Sequence, residues 1–100
     1  MYENEINLAL ARIMELREEW FDYPGPHMSN TALLTASYTQ WALNEIIQEL
    51  VRCSDIHPEL SLKHFLKRMQ AYWEKASTTE ARMIFETAYD VANELVDVIY

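Results

Sequence analysis

The sequence predicts an all-α fold, an antiparallel four-helix bundle formed by residues 1–100 as a single domain. The chain of 100 residues contains one glycine, and tight turns and bulges commonly require glycine, so few of them are expected. Apolar residues recur at spacings of three and four in four segments, which is the periodicity of an amphipathic helix. The connections between these segments are short, and short connections favour antiparallel neighbours.

The first two predicted helices occupy residues 2–20 and 30–53. The first ends before Pro24-Gly25-Pro26, because two prolines around a glycine do not continue a helix. The second is apolar on several sides, so we expect it either to lie centrally or to offer surface to a second subunit. The periodic apolar positions of the first helix are Ile6, Leu10, Ile13, Leu16 and Trp20. The apolar residues around the second helix are Leu33, Leu34, Tyr38, Trp41, Leu43, Ile46, Ile47, Leu50 and Val51, and of these we expect Trp41 to lie in the core.

The third and fourth predicted helices occupy residues 59–76 and 78–99. Pro58 suits a first helical turn, and Ser77 with Glu80 matches a capping box at the start of the fourth helix. The expected core positions here are Leu62, Phe65, Leu66, Met69, Tyr72, Trp73, Ala81, Ile84, Phe85, Ala88, Ala92, Leu95 and Ile99.

Composition restricts the classes of function. Sixteen acidic and eight basic residues give a net charge of −8, which argues against direct binding to nucleic acid or to an anionic membrane. Cys53 is the only cysteine, and this fits a reducing compartment. The acidic N-terminus lacks the features of a signal peptide, and no uncharged apolar run approaches the ~18–20 residues of a membrane span. We therefore expect a cytoplasmic protein.

Four carboxylates follow one another along one face of the fourth helix, at spacings of four, four and three residues. This acidic stripe consists of Glu86, Asp90, Glu94 and Asp97. At about 100° per residue it spans an arc of roughly 80° opposite the apolar face, so it should point at solvent. Lys63, Lys67 and Lys75 of the third helix could approach only its edge. The stripe either keeps the protein soluble or forms a docking face for a basic partner.

Two further groups of residues join the stripe as candidates for partner binding. Glu15, Glu18, Glu19 and Asp22 form an acidic face on the first helix. The segment from Trp20 to Met28 is either a stiff connector whose aromatic residues pack against the core, or a preorganised loop that presents Tyr23 and His27 to a partner.

Two short acidic motifs keep an enzymatic alternative open. Glu15-Leu16-Arg17-Glu18 is an E-x-x-E string, and Glu94-Leu95-Val96-Asp97 is an E-x-x-D string. In these two strings the chain resembles the all-α MazG-like nucleoside triphosphate pyrophosphohydrolases. The resemblance implies Mg²⁺ held against a nucleotide by Glu15, Glu18, Glu94 and Asp97. Because both pairs lie on the polar faces of their helices, we expect them not to converge inside a bundle.

A metal site at Cys53, His57 and His64 is not expected. The helix breaks between the first two residues, and zinc needs three or four converging donors. We assign no catalytic, metal-binding or cofactor-binding residue.

The sequence as a whole predicts a non-enzymatic, acidic protein-interaction module. It would dock on a basic, nucleic-acid-binding protein, as a small bacterial or phage inhibitor or adaptor would. The alternatives are the pyrophosphohydrolase and a structural homodimer formed through surplus apolar surface on the second helix.

Overall fold

The computed structural model describes residues 2–21 and 30–100, and these ranges contain four helices and no strand. The helices are α1 (Glu3–Phe21), α2 (Asn30–Arg52), α3 (Pro58–Lys75) and α4 (Thr79–Ile99). The all-α prediction is confirmed, and each predicted helix boundary falls within one residue of the observed one. None of these helices is both long enough and apolar enough to span a lipid bilayer.

The antiparallel arrangement follows from the contacts at one end of the bundle. The Tyr2 amide donates to the Ser54 carbonyl at 3.4 Å, so the start of α1 meets the end of α2. The His57 ring, in front of α3, lies 5.5 Å from the Tyr2 ring and 5.8 Å from the Tyr100 ring at the end of α4. Consecutive helices therefore alternate in direction. We call Tyr2, His57 and Tyr100 the end cluster.

A single apolar core joins the four helices. Alanines occupy several of its most buried positions, among them Ala9, Ala42, Ala88 and Ala92, which are 0–1% exposed. Their small side chains let the helix backbones approach closely. The contacts between α3 and α4 are the most extensive of any helix pair. The other buried apolar residues are Ile6, Ile13, Leu16, Leu43, Ile46, Leu50, Leu62, Phe65, Met69, Val91 and Leu95.

The N-terminal caps of α3 and α4 explain where these helices start. His57 Nδ1 accepts from the Glu59 amide at 3.1 Å, and Pro58 occupies the first turn as predicted. Thr78 is extended and caps α4, with its Oγ1 accepting from the Ala81 amide at 3.1 Å. The predicted capping box at Ser77 is therefore wrong. The helix starts one residue later, and the third helical position is an alanine that cannot return a hydrogen bond.

Three aromatic residues predicted to lie in the core are partly exposed instead. Trp41, Tyr72 and Trp73 are 38%, 46% and 41% exposed. The molecule measures 43 × 35 × 20 Å, and its smallest dimension equals about two helix diameters of ~10 Å. In so flat a bundle, a wide apolar face extends beyond the neighbours that cover it. On α2, Leu33, Leu34 and Val51 are also exposed, at 50%, 47% and 58%.

Candidate functional site

The acidic stripe lies on the solvent-exposed face of α4. Its four residues are all exposed, whereas the buried residues of the same helix are Ala88, Val91, Ala92 and Leu95. The outward orientation predicted from the helical periodicity is therefore confirmed. The stripe runs over three turns of α4, a length of about 16 Å at 1.5 Å per residue.

The carboxylates of the stripe lack ion-pair partners within the part of the chain that the structure describes. The salt bridges found there join Arg12 to Glu15 at 3.0 Å, Arg52 to Glu49 at 3.6 Å, and Arg68 to Glu49 at 2.9 Å. The salt bridge between Arg68 and Glu49 directs a basic side chain of α3 towards α2 and not towards α4. None of the lysines of α3 pairs with the stripe in the described ranges, so its negative charge stays available to solvent or to a partner.

The other candidate residues differ in how much the structure says about them. Glu18 and Glu19 are exposed. Glu15 is exposed too, but the salt bridge to Arg12 partly neutralises it. Asp22, Tyr23 and His27 lie outside the described residues, so the acidic face of α1 is seen only in part.

A groove between α3 and α4 was not predicted from the sequence. It has a volume of about 360 Å³ and is lined by Gln70, Trp73, Phe85, Glu86, Tyr89 and Asp90. We call it the α3–α4 groove. Its lining includes the first two carboxylates of the stripe, so the charged face and the aromatic groove are continuous.

A signal for this groove is present in the sequence. Phe85 directly precedes Glu86, and Tyr89 directly precedes Asp90, so an aromatic row runs beside the acidic row along α4. Trp73 completes the aromatic lining from α3. The sequence-based prediction placed Trp73 in the core, and a buried indole would have left no groove between α3 and α4. The aromatic row was therefore not recognised as the wall of a groove.

A second groove of about 320 Å³ lies where α1, α4 and the end cluster meet. Its lining includes Leu8, which is 72% exposed, together with His57 and Tyr100. Burial raises the pKa of the Tyr100 phenol, and the nearby carboxylates of Glu59 and Glu5 raise it further. His57 is half-buried and caps α3.

The described residues hold no group of three or more His, Cys, Asp and Glu side chains placed to bind a metal ion. The Cys53 thiol lies 3.9 Å from Glu49 Oε1, and His57 Nδ1 is engaged by the Glu59 amide. The two E-x-x-E/D strings of the enzymatic alternative have all four of their acidic side chains exposed.

Comparison of the chain with protein-family models found no match, and neither the curated proteins nor the solved structures gave one. A function must therefore be inferred from the residues of this chain alone.

Proposed function

We propose that this chain is a non-enzymatic interaction module that docks through the acidic stripe on a basic surface of a protein partner. The observation that supports the proposal is the row of four exposed carboxylates on α4, with no ion-pair partner among the described residues. Like charges at such spacings destabilise a helix by a few tenths of a kcal/mol per pair. A cationic partner would remove this repulsion on binding.

The overall charge supports the same kind of partner. At a net charge of −8 the protein attracts basic surfaces over a distance, which accelerates association and makes it sensitive to salt. Nucleic acid and anionic lipid would be repelled. A nucleic-acid-binding protein offers a cationic surface of the kind that the stripe complements, and a small inhibitor or adaptor from a bacterium or phage would use the stripe in this way.

The experiment that tests the proposal combines charge reversal with a salt series. Partners are captured from a bacterial lysate by the wild-type chain and by a variant with Glu86, Asp90, Glu94 and Asp97 changed to Lys. We expect basic proteins to be retained by the wild type, to elute as NaCl rises, and to be lost from the variant. Capture that resists salt and survives this reversal would contradict the proposal.

A matched control separates the stripe from the total charge. Changing Glu3, Asp55, Glu74 and Glu80 to Lys alters the net charge by the same amount, and these four carboxylates are exposed on other parts of the surface. We expect this control to retain more of the partner than the stripe variant does. Circular dichroism of both variants checks that they remain helical.

The non-enzymatic part of the proposal has its own test. The protein is incubated with Mg²⁺ and a panel of nucleoside triphosphates, and pyrophosphate is measured. We expect no release above the buffer blank. Release that Glu94→Gln abolishes would instead favour the pyrophosphohydrolase.

The apolar surface of α2 supports a second candidate, a homodimer. Leu33, Leu34, Trp41 and Val51 are 50%, 47%, 38% and 58% exposed on this helix, and surplus apolar area of this kind marks interaction surfaces. Sedimentation across a range of concentrations tests it, with Val51→Glu as the disrupting variant. A strict monomer at every concentration would exclude the dimer.

A further inference from the structure

We propose that the α3–α4 groove binds an arginine side chain of the partner, with the guanidinium held between aromatic rings and the carboxylates of Glu86 and Asp90. This inference rests on the proposed function and specifies which chemical group of the partner the site recognises. Two sets of observations support it, the charge of the groove and the aromatic groups in its lining.

The groove has the size and the charge for one cationic side chain. Its volume of about 360 Å³ lies at the small end of the ~300–1,000 Å³ typical of ligand pockets. Glu86 and Asp90 stand one turn apart on α4. Neither forms a salt bridge within the described residues, and Arg82, a cation beside the lining, contacts the Trp73 ring. Two carboxylates surrounded only by water attract a cation weakly. The apolar walls beside Glu86 and Asp90 lower the local dielectric, and this strengthens the attraction of the two carboxylates for a cation.

The aromatic residues favour a guanidinium over an ammonium group. Trp73, Phe85 and Tyr89 line the groove, and a planar guanidinium stacks on such rings while it also donates paired hydrogen bonds to carboxylates. A lysine ammonium is a compact, strongly hydrated charge that gains less from this surface. Charge and shape together therefore select arginine.

The chain itself places a guanidinium against one of these rings. The central guanidinium carbon of Arg82 lies 5.6 Å from the centroid of the Trp73 ring, inside the ~6 Å range of a cation–π contact. Trp73 is still 41% exposed, so part of the indole remains accessible from the groove. Arg82 is thus an internal example of the contact that an arginine of the partner would make.

The test uses three synthetic peptides of equal length, in which glycine alternates with arginine, lysine or uncharged citrulline. Binding is followed by nuclear magnetic resonance of the tryptophan indole N–H groups, with the Trp73 signal assigned by its absence in Trp73→Phe. We expect the arginine peptide to shift the Trp73 signal and leave Trp41 on α2 unchanged. The lysine peptide should bind about two- to fivefold more weakly, the range expected from an exposed cation–π contact, and the citrulline peptide should not bind.

Variants of the wall and of the stripe test the geometry. Tyr89→Leu should lower the affinity for the arginine peptide and remove the preference over lysine, because one aromatic wall is lost. Glu86→Gln should weaken binding of both cationic peptides. Glu94→Gln is the matched control, since Glu94 belongs to the stripe but does not line the groove. It should weaken binding less than Glu86→Gln does. Arg82→Gln should tighten arginine binding, because it removes a competing cation from the Trp73 ring.

The outcomes separate this inference from the proposed function. Equal binding of arginine and lysine peptides, with no shift at Trp73, would overturn the arginine site. If stripe reversal still abolished capture of the partner, the proposed function would stand. Partner capture that ignores stripe reversal would contradict the stripe as the docking face. Because the reversal also replaces Glu86 and Asp90 of the groove, it would equally contradict the groove as the partner's site, even where the arginine peptide shifts Trp73. The shift itself is read from the wild-type spectrum, so the test does not depend on the folding of the wall and stripe variants; only Trp73→Phe, which assigns the signal, must fold.

Discussion

Replacing Glu94 with glutamine should stabilise the fold. Glu94 is exposed on α4 and lies four residues after Asp90 and three residues before Asp97. Each of these like-charge pairs destabilises a helix by about 0.2–0.5 kcal/mol, and glutamine has nearly the helix propensity of glutamate. Removing both pairs should raise the free energy of unfolding by about 0.4–1.0 kcal/mol. For a domain of this size the gain corresponds to about 2–8 °C in Tm.

The assay is thermal unfolding followed by circular dichroism at low ionic strength and again in 1 M NaCl. The gain should shrink at high salt, because the Debye length falls from about 10 Å at 0.1 M to about 3 Å at 1 M. Glu80→Gln is the matched control on the same helix. Glu80 lies in the first turn of α4, where a carboxylate interacts favourably with the helix dipole. Loss of this charge should lower the free energy of unfolding by about 0.3–1 kcal/mol.

The two glutamates should thus give effects of opposite sign from the same chemical change. If Glu94→Gln left the protein equally stable or less stable at low salt, the carboxylate would be making a favourable contact. The stripe would then not be a source of repulsion that a basic partner relieves.

Three other predictions concern local structure. Thr78→Ala should lower the free energy of unfolding by about 1 kcal/mol through loss of the cap, whereas Ser77→Ala should have little effect. Urea midpoints of the two variants measure this, and a larger loss from Ser77→Ala would show that Ser77 is the cap after all. Glu49→Gln should lower stability by about 1 kcal/mol, because it weakens the 2.9 Å bridge from α2 to Arg68 on α3; an unchanged midpoint would show that the bridge contributes nothing. Folding raises the pKa of the Tyr100 phenol, so the folded state favours the protonated phenol. The contribution of this phenol to the free energy of unfolding is complete below its unfolded pKa of about 10 and is lost as the pH rises through the folded pKa. Tyr100→Phe should therefore flatten the fall of Tm between pH 9 and 11.5, and a parallel curve would refute this.

Periodicity in the sequence was enough to predict the helices and the orientation of the stripe. Both depend on the angle between successive residues of one helix, which a sequence specifies directly. The burial of Ile13, Leu43 and Leu95 and the exposure of Glu86 and Asp90 follow from that angle.

Features that depend on the spacing of neighbouring helices could not be predicted in this way. Trp73 has the same position in the helical repeat whether α4 covers it or leaves it at the edge of a groove. Burial of Ala42, Ala88 and Ala92 brings the helices close at the centre of the bundle, while larger residues such as Trp73 and Tyr72 lie towards its surface. The contact between His57, Tyr2 and Tyr100 joins positions far apart in the chain, which no local pattern reveals.

The end cluster has a consequence for engineering this molecule. Tyr2 and Tyr100 lie on the same His57 ring, so a short linker from Tyr100 back to Tyr2 would close the chain without crossing the bundle. New termini could then be opened between α3 and α4, at the exposed Ser77, as in a circular permutant. In such a molecule α4 would become the first helix, and the acidic stripe could be carried into a fusion protein in which the linker already joins Tyr100 to Tyr2.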